Sequence, residues 1–282
     1  MPGHGDLLRE RLCIHQVTLM ESCDFRQSVE CLARHGIEMT AVWRAKLEEA
    51  GLGAARAILD GSGVRAISLC AGGLLTEPGD EAARAAIDAN RRWLDAAAAI
   101  GCASMVTITG GMPEGSLDLE GARGRARDRL ADLLPHARAC GVRLALEPLH
   151  PAVCGYRSVI STLGEANDWL DEIGAGDELG IALDTYAIWW EPGLSREIAR
   201  AGRRIINFHC ADWLRETSDV RLDRGMPGDG LIDNRSILGD AERAGFRGAI
   251  ELEIFSVNNW WRRDPDEVVR IARERMLRCF SP

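Results

Sequence analysis

Short aliphatic runs alternate along this chain with longer stretches in which apolar residues recur at helical spacing. Apolar runs with no polar alternation are what strands buried on both faces need, as in a parallel sheet whose strands are crossed over by helices. The pairing of run and helix repeats eight times. Leu12–Thr18 precedes a helix near Phe25–His35, Ile37–Val42 one near Lys46–Leu59, and Val64–Cys70 one near Glu81–Ile100. Ala103–Thr109 leads to a helix ending about Cys140, Val142–Glu147 to Leu163–Ile173, and Leu179–Asp184 to Leu194–Ala201. Ile205–Cys210 is followed by a long loop and a helix over Ile232–Ala244, and Ala249–Ile254 by one over Asp266–Phe280.

Several of these helices rest on more than propensity. Ala83, Ile87, Asn90, Leu94 and Ala97 follow the spacing of one helix face. Leu130, Leu133, Leu134 and Ala137 do the same, although Pro135 removes a backbone donor and is expected to kink or restart that helix. Asp264 as cap, Pro265 at the first helical position, and Asp266 and Glu267 in the first turn form a start signal. Glycines 36, 63, 101, 141, 174 and 245 fall between a helix and the next strand, where a left-handed terminus is needed.

Eight βα units can close into a barrel or spread as a doubly wound open sheet. No GxGxxG follows the first strand, and eight full repeats in 282 residues suit closure. The expected fold is α/β, a single (β/α)8 TIM barrel spanning residues 1–282, with no linker or low-complexity tract.

Composition narrows the function classes. A hydrophobic fraction of 46% and a charged fraction of 27% are those of an ordinary globular protein. No run of 18 apolar residues exists, so no membrane span is expected. The first residues lack a basic patch followed by an apolar core, which reads as no secretory signal and a cytoplasmic location. A formal charge of -9 argues against a nucleic-acid partner. Nine cysteines without a CxxC pair fit a reducing compartment, and Cys13, Cys70 and Cys210 read as small core residues. Lys46 is the sole lysine, which argues against Schiff-base chemistry. No Walker-type loop is present, so a phosphate group is not required.

The candidate chemistry sits where strands end. In the run Val142–Leu146, followed by Glu147 and Pro148, a buried strand stops abruptly at a carboxylate. Reading the next three strand ends gives Asp184, His209 and Glu253. In a barrel all of them face one rim. Like charges that converge need compensation, and a divalent cation provides it; carboxylate plus imidazole ligation suits Mn²⁺, Mg²⁺, Fe²⁺, Co²⁺ or Zn²⁺. Each residue alone has a plainer role: Glu147 paired with an arginine, Asp184 capping a helix, His209 satisfied in the core, or Glu251 rather than Glu253 facing inward.

Five segments carry a family resemblance. They are Leu146-Glu147-Pro148-Leu149-His150-Pro151, Leu183-Asp184-Thr185-Tyr186-Ala187-Ile188-Trp189-Trp190, Phe208-His209-Cys210-Ala211-Asp212-Trp213, Asp223-Arg224-Gly225-Met226-Pro227-Gly228-Asp229-Gly230 and Glu251-Leu252-Glu253-Ile254-Phe255-Ser256. With these the chain resembles the xylose isomerase-like barrels of the sugar phosphate isomerase/epimerase superfamily, which includes ketose 3-epimerases, hydroxypyruvate isomerase, inosose dehydratase and endonuclease IV. The resemblance implies one divalent ion, Mn²⁺ foremost, on Glu147, Asp184, His209 and Glu253, and it selects Glu253 over Glu251. It implies an isomerase or epimerase of a keto sugar or related polyol, working through a metal-stabilised enediolate with Glu147 and Glu253 as base and acid. Arg224 matches a family arginine that contacts substrate oxygens. The chain departs at Ala187, where relatives usually carry a histidine.

Around that frame, His150 is expected as a further proton carrier, and Tyr156 and Arg157 on the same loop as substrate contacts. Trp43, Trp189, Trp190, Trp260 and Trp261 are expected to form an apolar wall, with Trp43 and Trp190 foremost. The same enediolate can expel a β-substituent, so a lyase, dehydratase or deglycosylase acting on a 3-keto sugar is the alternative activity. Endonuclease activity is disfavoured by the charge and by Ala187, and a non-catalytic subunit role by the presence of all four ligands. The expected partner is a small sugar-like molecule, and assembly into a homo-oligomer is left open.

Overall fold

A computed structural model of the protein describes residue 8 and residues 10–281. Eight parallel strands close on themselves: β1 (Leu12–Ile14), β2 (Met39–Trp43), β3 (Arg65–Gly73), β4 (Ser104–Ile108), β5 (Arg143–Leu146), β6 (Leu179–Asp184), β7 (Ile205–Cys210) and β8 (Ile250–Leu252). Each strand pairs with its sequence neighbours, and β8 closes the ring with Leu12 opposite Ile250 and Ile14 opposite Leu252. The fold is a (β/α)8 barrel.

The helices are α1 (Phe25–Arg34), α2 (Arg44–Ala50), α3 (Leu52–Ser62), α4 (Asp80–Ala99), α5 (Leu119–Cys140), α6 (Leu163–Ile173), α7 (Thr185–Ile188), α8 (Leu194–Ala201), α9 (Asn234–Ala244) and α10 (Pro265–Phe280). Their ends follow local chemistry. Reciprocal capping boxes, Asp24 with Gln27 and Thr162 with Glu165, start α1 and α6. Asp264 accepts from the Glu267 amide, and Pro265 opens α10. Gly141 and Gly174 end α5 and α6 with φ of 69° and 64°, and glycines 36, 63, 101 and 245 likewise take positive φ.

Several boundaries differ from expectation, among them β8, which ends at Leu252 and leaves Glu253 just past it. The second helix is two helices, because Gly51 at φ 76° ends α2 and starts α3. The expected restart at Pro135 does not occur, and α5 continues to Cys140. An interior proline costs about 3 kcal/mol. Burying Leu130, Leu133 and Leu134 on one face, each worth about 2 kcal/mol, exceeds it. β1 is shorter than the apolar run, because His15 Nδ1 accepts from Val17 N at 3.1 Å and turns the chain into a 3-10 turn over Gln16–Leu19. β3 in turn runs on to Gly73.

The main core lies between the barrel wall and the surrounding helices. A separate small cluster, Cys70, Val106, Ala145 and Ala182, belongs to β3 through β6. Larger side chains there would leave less room for the carboxylates at the strand ends. Those ends remain tied to the barrel: Glu147 N donates to Thr107 O and Glu253 N to Cys210 O, both at 3.0 Å.

Candidate active site

β6, β7 and β8 are in register at their ends, with His209 opposite Asp184 on one side and Glu251 on the other. Side chains two apart on a strand share a face, so Glu251 and Glu253 both point inward, one layer apart. Both are buried, as are Glu147, Asp184 and His209. The choice between Glu251 and Glu253 as the inward residue is therefore false; the barrel uses both. Glu251 accepts from Ser68 Oγ at 2.8 Å and Asn207 Nδ2 at 2.7 Å. Its Oε2 lies 3.5 Å from His209 Nε2, so the lower carboxylate orients the imidazole that the upper ones face.

On the upper side, His209 Nδ1 lies 3.0 Å from Glu147 Oε1 and 3.8 Å from Glu253 Oε2. One donor atom from each of Glu147, His209 and Glu253 falls within a 4.8 Å group. Asp184 is drawn aside: its Oδ1 accepts from Tyr186 N at 3.0 Å, and its Oδ2 faces Arg224 Nη1 at 3.0 Å. The same Nη1 is 3.0 Å from Glu253 Oε2. A two-residue antiparallel ladder, Asp212–Trp213 with Arg224–Gly225, folds the loop after β7 back so that this guanidinium lies over the strand ends. Tyr186 and Phe255 pack on its faces at 4.4 and 4.9 Å.

Charge is unbalanced here. Four buried carboxylates, Glu147, Asp184, Glu251 and Glu253, are contacted by one guanidinium, Arg224, and two imidazoles, His209 and His15. Burial pushes the Glu147 carboxyl up to about 7 against the pull of His209. Burial likewise raises Asp184, partly opposed by Arg224. Burial would also raise Glu251, but His209, Asn207 and Ser68 hold it below the usual carboxylate range. Burial works against charging His209, yet Glu251, Glu253 and Glu147 keep its pKa well above that of an ordinary histidine. His15, with Nε2 3.6 Å from Glu253 Oε1, is pushed down to about 3 by burial and then by His209.

The donor set fits a divalent cation. Glu147, His209 and Glu253 bring buried donor atoms within 4.8 Å of one another, and among the described residues the only close partner of the buried Asp184 Oδ2 is Arg224; a doubly positive ion would offset the excess of carboxylates.

A pocket open to solvent lies above the cluster, with about 570 Å3 of space when the open solvent at its mouth is included. Glu147, Glu253, His150, Arg157, Arg224 and Trp43 line it. Asp184 and His209 lie beneath, fully buried. Tyr156 is on the same loop as Arg157 but is 58% exposed and outside the lining. Of the five tryptophans expected as a wall, Trp43 alone lines the cavity. Trp190 packs edge-on behind His150 at 5.7 Å, and its Nε1 donates to Ala187 O. Trp189 packs against Trp213, and Trp261 Nε1 donates to the carbonyls of Val17 and Ile254. Trp260 and Trp261 sit in a 3-10 turn. Indoles with a buried backbone partner serve packing rather than a solvent-facing wall. Ala187 lines the cavity.

Sequence reading passed over His15 and Arg221 and gave Phe255 no part in the site; Cys70, read as a small core residue, is one and also lines the cavity. His15 follows the last residue of β1 and so obeys the strand-end rule; extending that run to Thr18 hid it. Arg221 lies in the long loop after β7, where periodicity carries no signal.

A family profile described as xylose isomerase-like TIM barrel matches residues 29–279. The chain belongs to that family. Among curated relatives, an inosose isomerase of Bacillus velezensis is 21% identical over 276 residues, covering 94% of this chain and 95% of that protein. Among solved structures, a protein of Sinorhizobium meliloti 1021 is 42% identical with a TM-score of 0.93, covering 97% of this chain and 99% of that one. The IolI protein with a bound zinc atom is 19% identical with a TM-score of 0.84, covering 96% and 98%. A D-psicose 3-epimerase of Enterocloster bolteae is 30% identical over 139 residues, covering 49% of this chain and 42% of that protein, and among the described residues no helix is long and apolar enough to cross a membrane.

Proposed function

We propose that this xylose isomerase-like barrel is a divalent-metal-dependent isomerase or epimerase of a keto sugar or related polyol. The observation that carries the reading is the buried carboxylate–imidazole cluster at the strand ends, opening into a cavity lined by Glu147 and Glu253. Glu147, His209 and Glu253 would hold the ion, with Asp184 as the fourth ligand. When bound, the ion supplies Lewis-acid polarisation of a substrate carbonyl. Mn²⁺ is the leading candidate, with Mg²⁺, Co²⁺, Fe²⁺ and Zn²⁺ also suited to this set; the zinc of the IolI structure supports metal binding on this fold.

The chain's own groups do the proton work. One glutamate removes the proton from the carbon beside the carbonyl, and the other returns a proton there or on the neighbouring oxygen. Glu147 and Glu253 both line the cavity, so each can reach a proton on a substrate held there. Arg224, fixed between two aromatic rings, holds a substrate oxygen as negative charge develops on it. His150 Nδ1 accepts from Ala152 N at 3.2 Å, which leaves Nε2 to carry the proton of the neutral ring. Burial lowers its pKa, so it acts as a neutral donor. Trp43 and Arg157 contact the rest of the substrate, with Tyr156 and Trp190 at the rim. The acidic chain suits a small-molecule partner in the cytoplasm rather than nucleic acid.

Elemental analysis of gently purified protein tests the centre. One divalent ion per chain, lost in Glu253→Ala, accompanied by deuterium uptake from D2O into an inosose or ketose, is the expected outcome. A folded protein that takes up no ion when Mn²⁺ is supplied would sink the reading. Ala187 favours a second activity, because an alanine in the lining leaves space beside the cluster. A lyase on a 3-keto sugar would use the same proton removal to expel a β-substituent, and release of that group is its distinguishing product.

A further inference from the structure

The cavity is acidic at its floor and basic at its mouth. Besides Arg224, two more guanidiniums line it: Arg157 from the loop after β5 and Arg221 from the loop after β7. Arg224 is already engaged through Nη1 by Asp184 and Glu253. Among the described residues, neither Arg157 nor Arg221 has a carboxylate within 4.0 Å, and neither side chain donates a hydrogen bond to the protein. Unpaired arginines are ordinary on open surface. These two are only half-exposed and face the same space as the site. Burial, then the like charges of Arg157 and Arg224, hold Arg221 below the usual arginine range.

Both side chains are held there by built loops. The Arg157 loop is tied to the end of β4: Gly110 bridges Ser158, Val159 N donates to Thr109 Oγ1 at 2.8 Å, and Met112 N to Gly155 O at 3.0 Å. A Cβ on Gly111 would stand 2.4 Å from the Tyr156 backbone, so the approach needs a glycine. In the other loop, Asp219 Oδ1 accepts from both Arg221 N and Leu222 N, and Asp223 bridges Ser256 beyond β8. Holding two like charges in fixed loops at an apolar mouth is unfavourable unless an anion joins them. Guanidiniums are suited to that anion because their planar forks match carboxylate and phosphate oxygens.

We infer that Arg157 and Arg221 form a subsite for an oxyanion on the substrate, so that this cavity takes a sugar acid or a sugar phosphate in preference to a neutral ketose. The substrate class rests on the proposed isomerase reading; the anion subsite itself does not. In this arrangement the anion is held at the mouth, and the carbonyl end reaches the floor where Glu147 and Glu253 lie. The aromatic and aliphatic wall between them, including Trp43, Val153 and Phe255, packs the carbon chain.

Three six-carbon probes that cannot undergo the proposed reaction separate the two ideas: glucitol, which is neutral, gluconate, and glucitol 6-phosphate. Each is titrated calorimetrically into the protein as purified. The expected result is that gluconate or glucitol 6-phosphate binds about 10- to 100-fold more tightly than glucitol, the range set by one or two charge-assisted hydrogen bonds. Tighter gluconate identifies a sugar acid, and tighter glucitol 6-phosphate a sugar phosphate. In Arg157→Ala/Arg221→Ala the preference falls below about 3-fold, while Arg157→Lys/Arg221→Lys keeps part of it. The inference is overturned if neither anion binds more tightly than glucitol, or if the preference survives in the double alanine variant. No probe carries an aldehyde or ketone, and a gluconate preference that came from chelating a bound ion would survive in the double alanine variant and so count against the inference.

Discussion

Two histidine–carboxylate contacts of nearly equal length behave in opposite ways in this barrel. His209 meets Glu147 at 3.0 Å among the strand ends, and His35 meets Asp266 at 2.8 Å on the outer face between α1 and α10. The first is shut away from water and crowded by Glu253 and Asp184, and burial drives its carboxyl up to about 7. The second is half exposed and forked by Arg34, then joined by His35, and its carboxyl is held down to about 2. Distance does not decide the difference. Solvent and the sign of the third partner do. The buried carboxyl lines the cavity and can meet a substrate proton, whereas the exposed one clamps two helices.

The sharpest way to break this contrast is to remove the buried carboxyl without changing its shape. Glu147→Gln should lower turnover by about 10³-fold, within the range for loss of a general acid–base. Compared in the metal-free form, its melting temperature should change little, because the amide keeps the shape and still hydrogen-bonds His209. Asp266→Asn is the matched control and should leave turnover and metal content unchanged. Full activity in folded Glu147→Gln would remove the proposed base. A smaller effect is expected at Arg224. Arg224→Ala should reduce kcat/KM by about 10²-fold, as for loss of one donor to a developing oxyanion, with metal content intact. If the ion is lost with the guanidinium, the arginine holds the centre together rather than contacting substrate.

The fold and the site were legible to different depths. The barrel was legible because the strands are short, mainly apolar runs and several helices carry their own caps; Asp24, Thr162 and Asp264 act through neighbours within four residues. Strand-end position singled out Glu147, Asp184, His209 and Glu253, since parallel strands aim their C-terminal residues at one mouth. What remained hidden depends on contacts across the ring. Glu251 supports His209 only because β7 and β8 lie in register. Asp184 turns toward Arg224 only because a loop some forty residues on folds back over it. Trp261 is a packing residue because its Nε1 reaches Val17, far earlier in the chain. No local period encodes such partners. Tryptophans near strand ends therefore looked alike in sequence, although Trp43 alone faces the cavity.

The smallest expected effect lies at the exposed contact, and its sign is the reverse of the buried one. Asp266 titrates near 2 in the folded protein against an ordinary 3.8, so the folded state binds fewer protons than the unfolded chain between those values. The stabilisation is therefore present above about pH 4 and is lost as pH falls toward 2. With the side chain nearly half exposed, solvent screening keeps it below about 1 kcal/mol, and salt reduces it further. The measurement is the gap in melting temperature between the parent and Asp266→Asn, at low ionic strength, from pH 6 down to the lowest pH at which both fold. The gap should be widest at pH 6 and should shrink on acidification. A gap that does not change with pH would mean that Asp266 acts through helix packing rather than charge, and the contrast with Glu147 would then reflect burial alone.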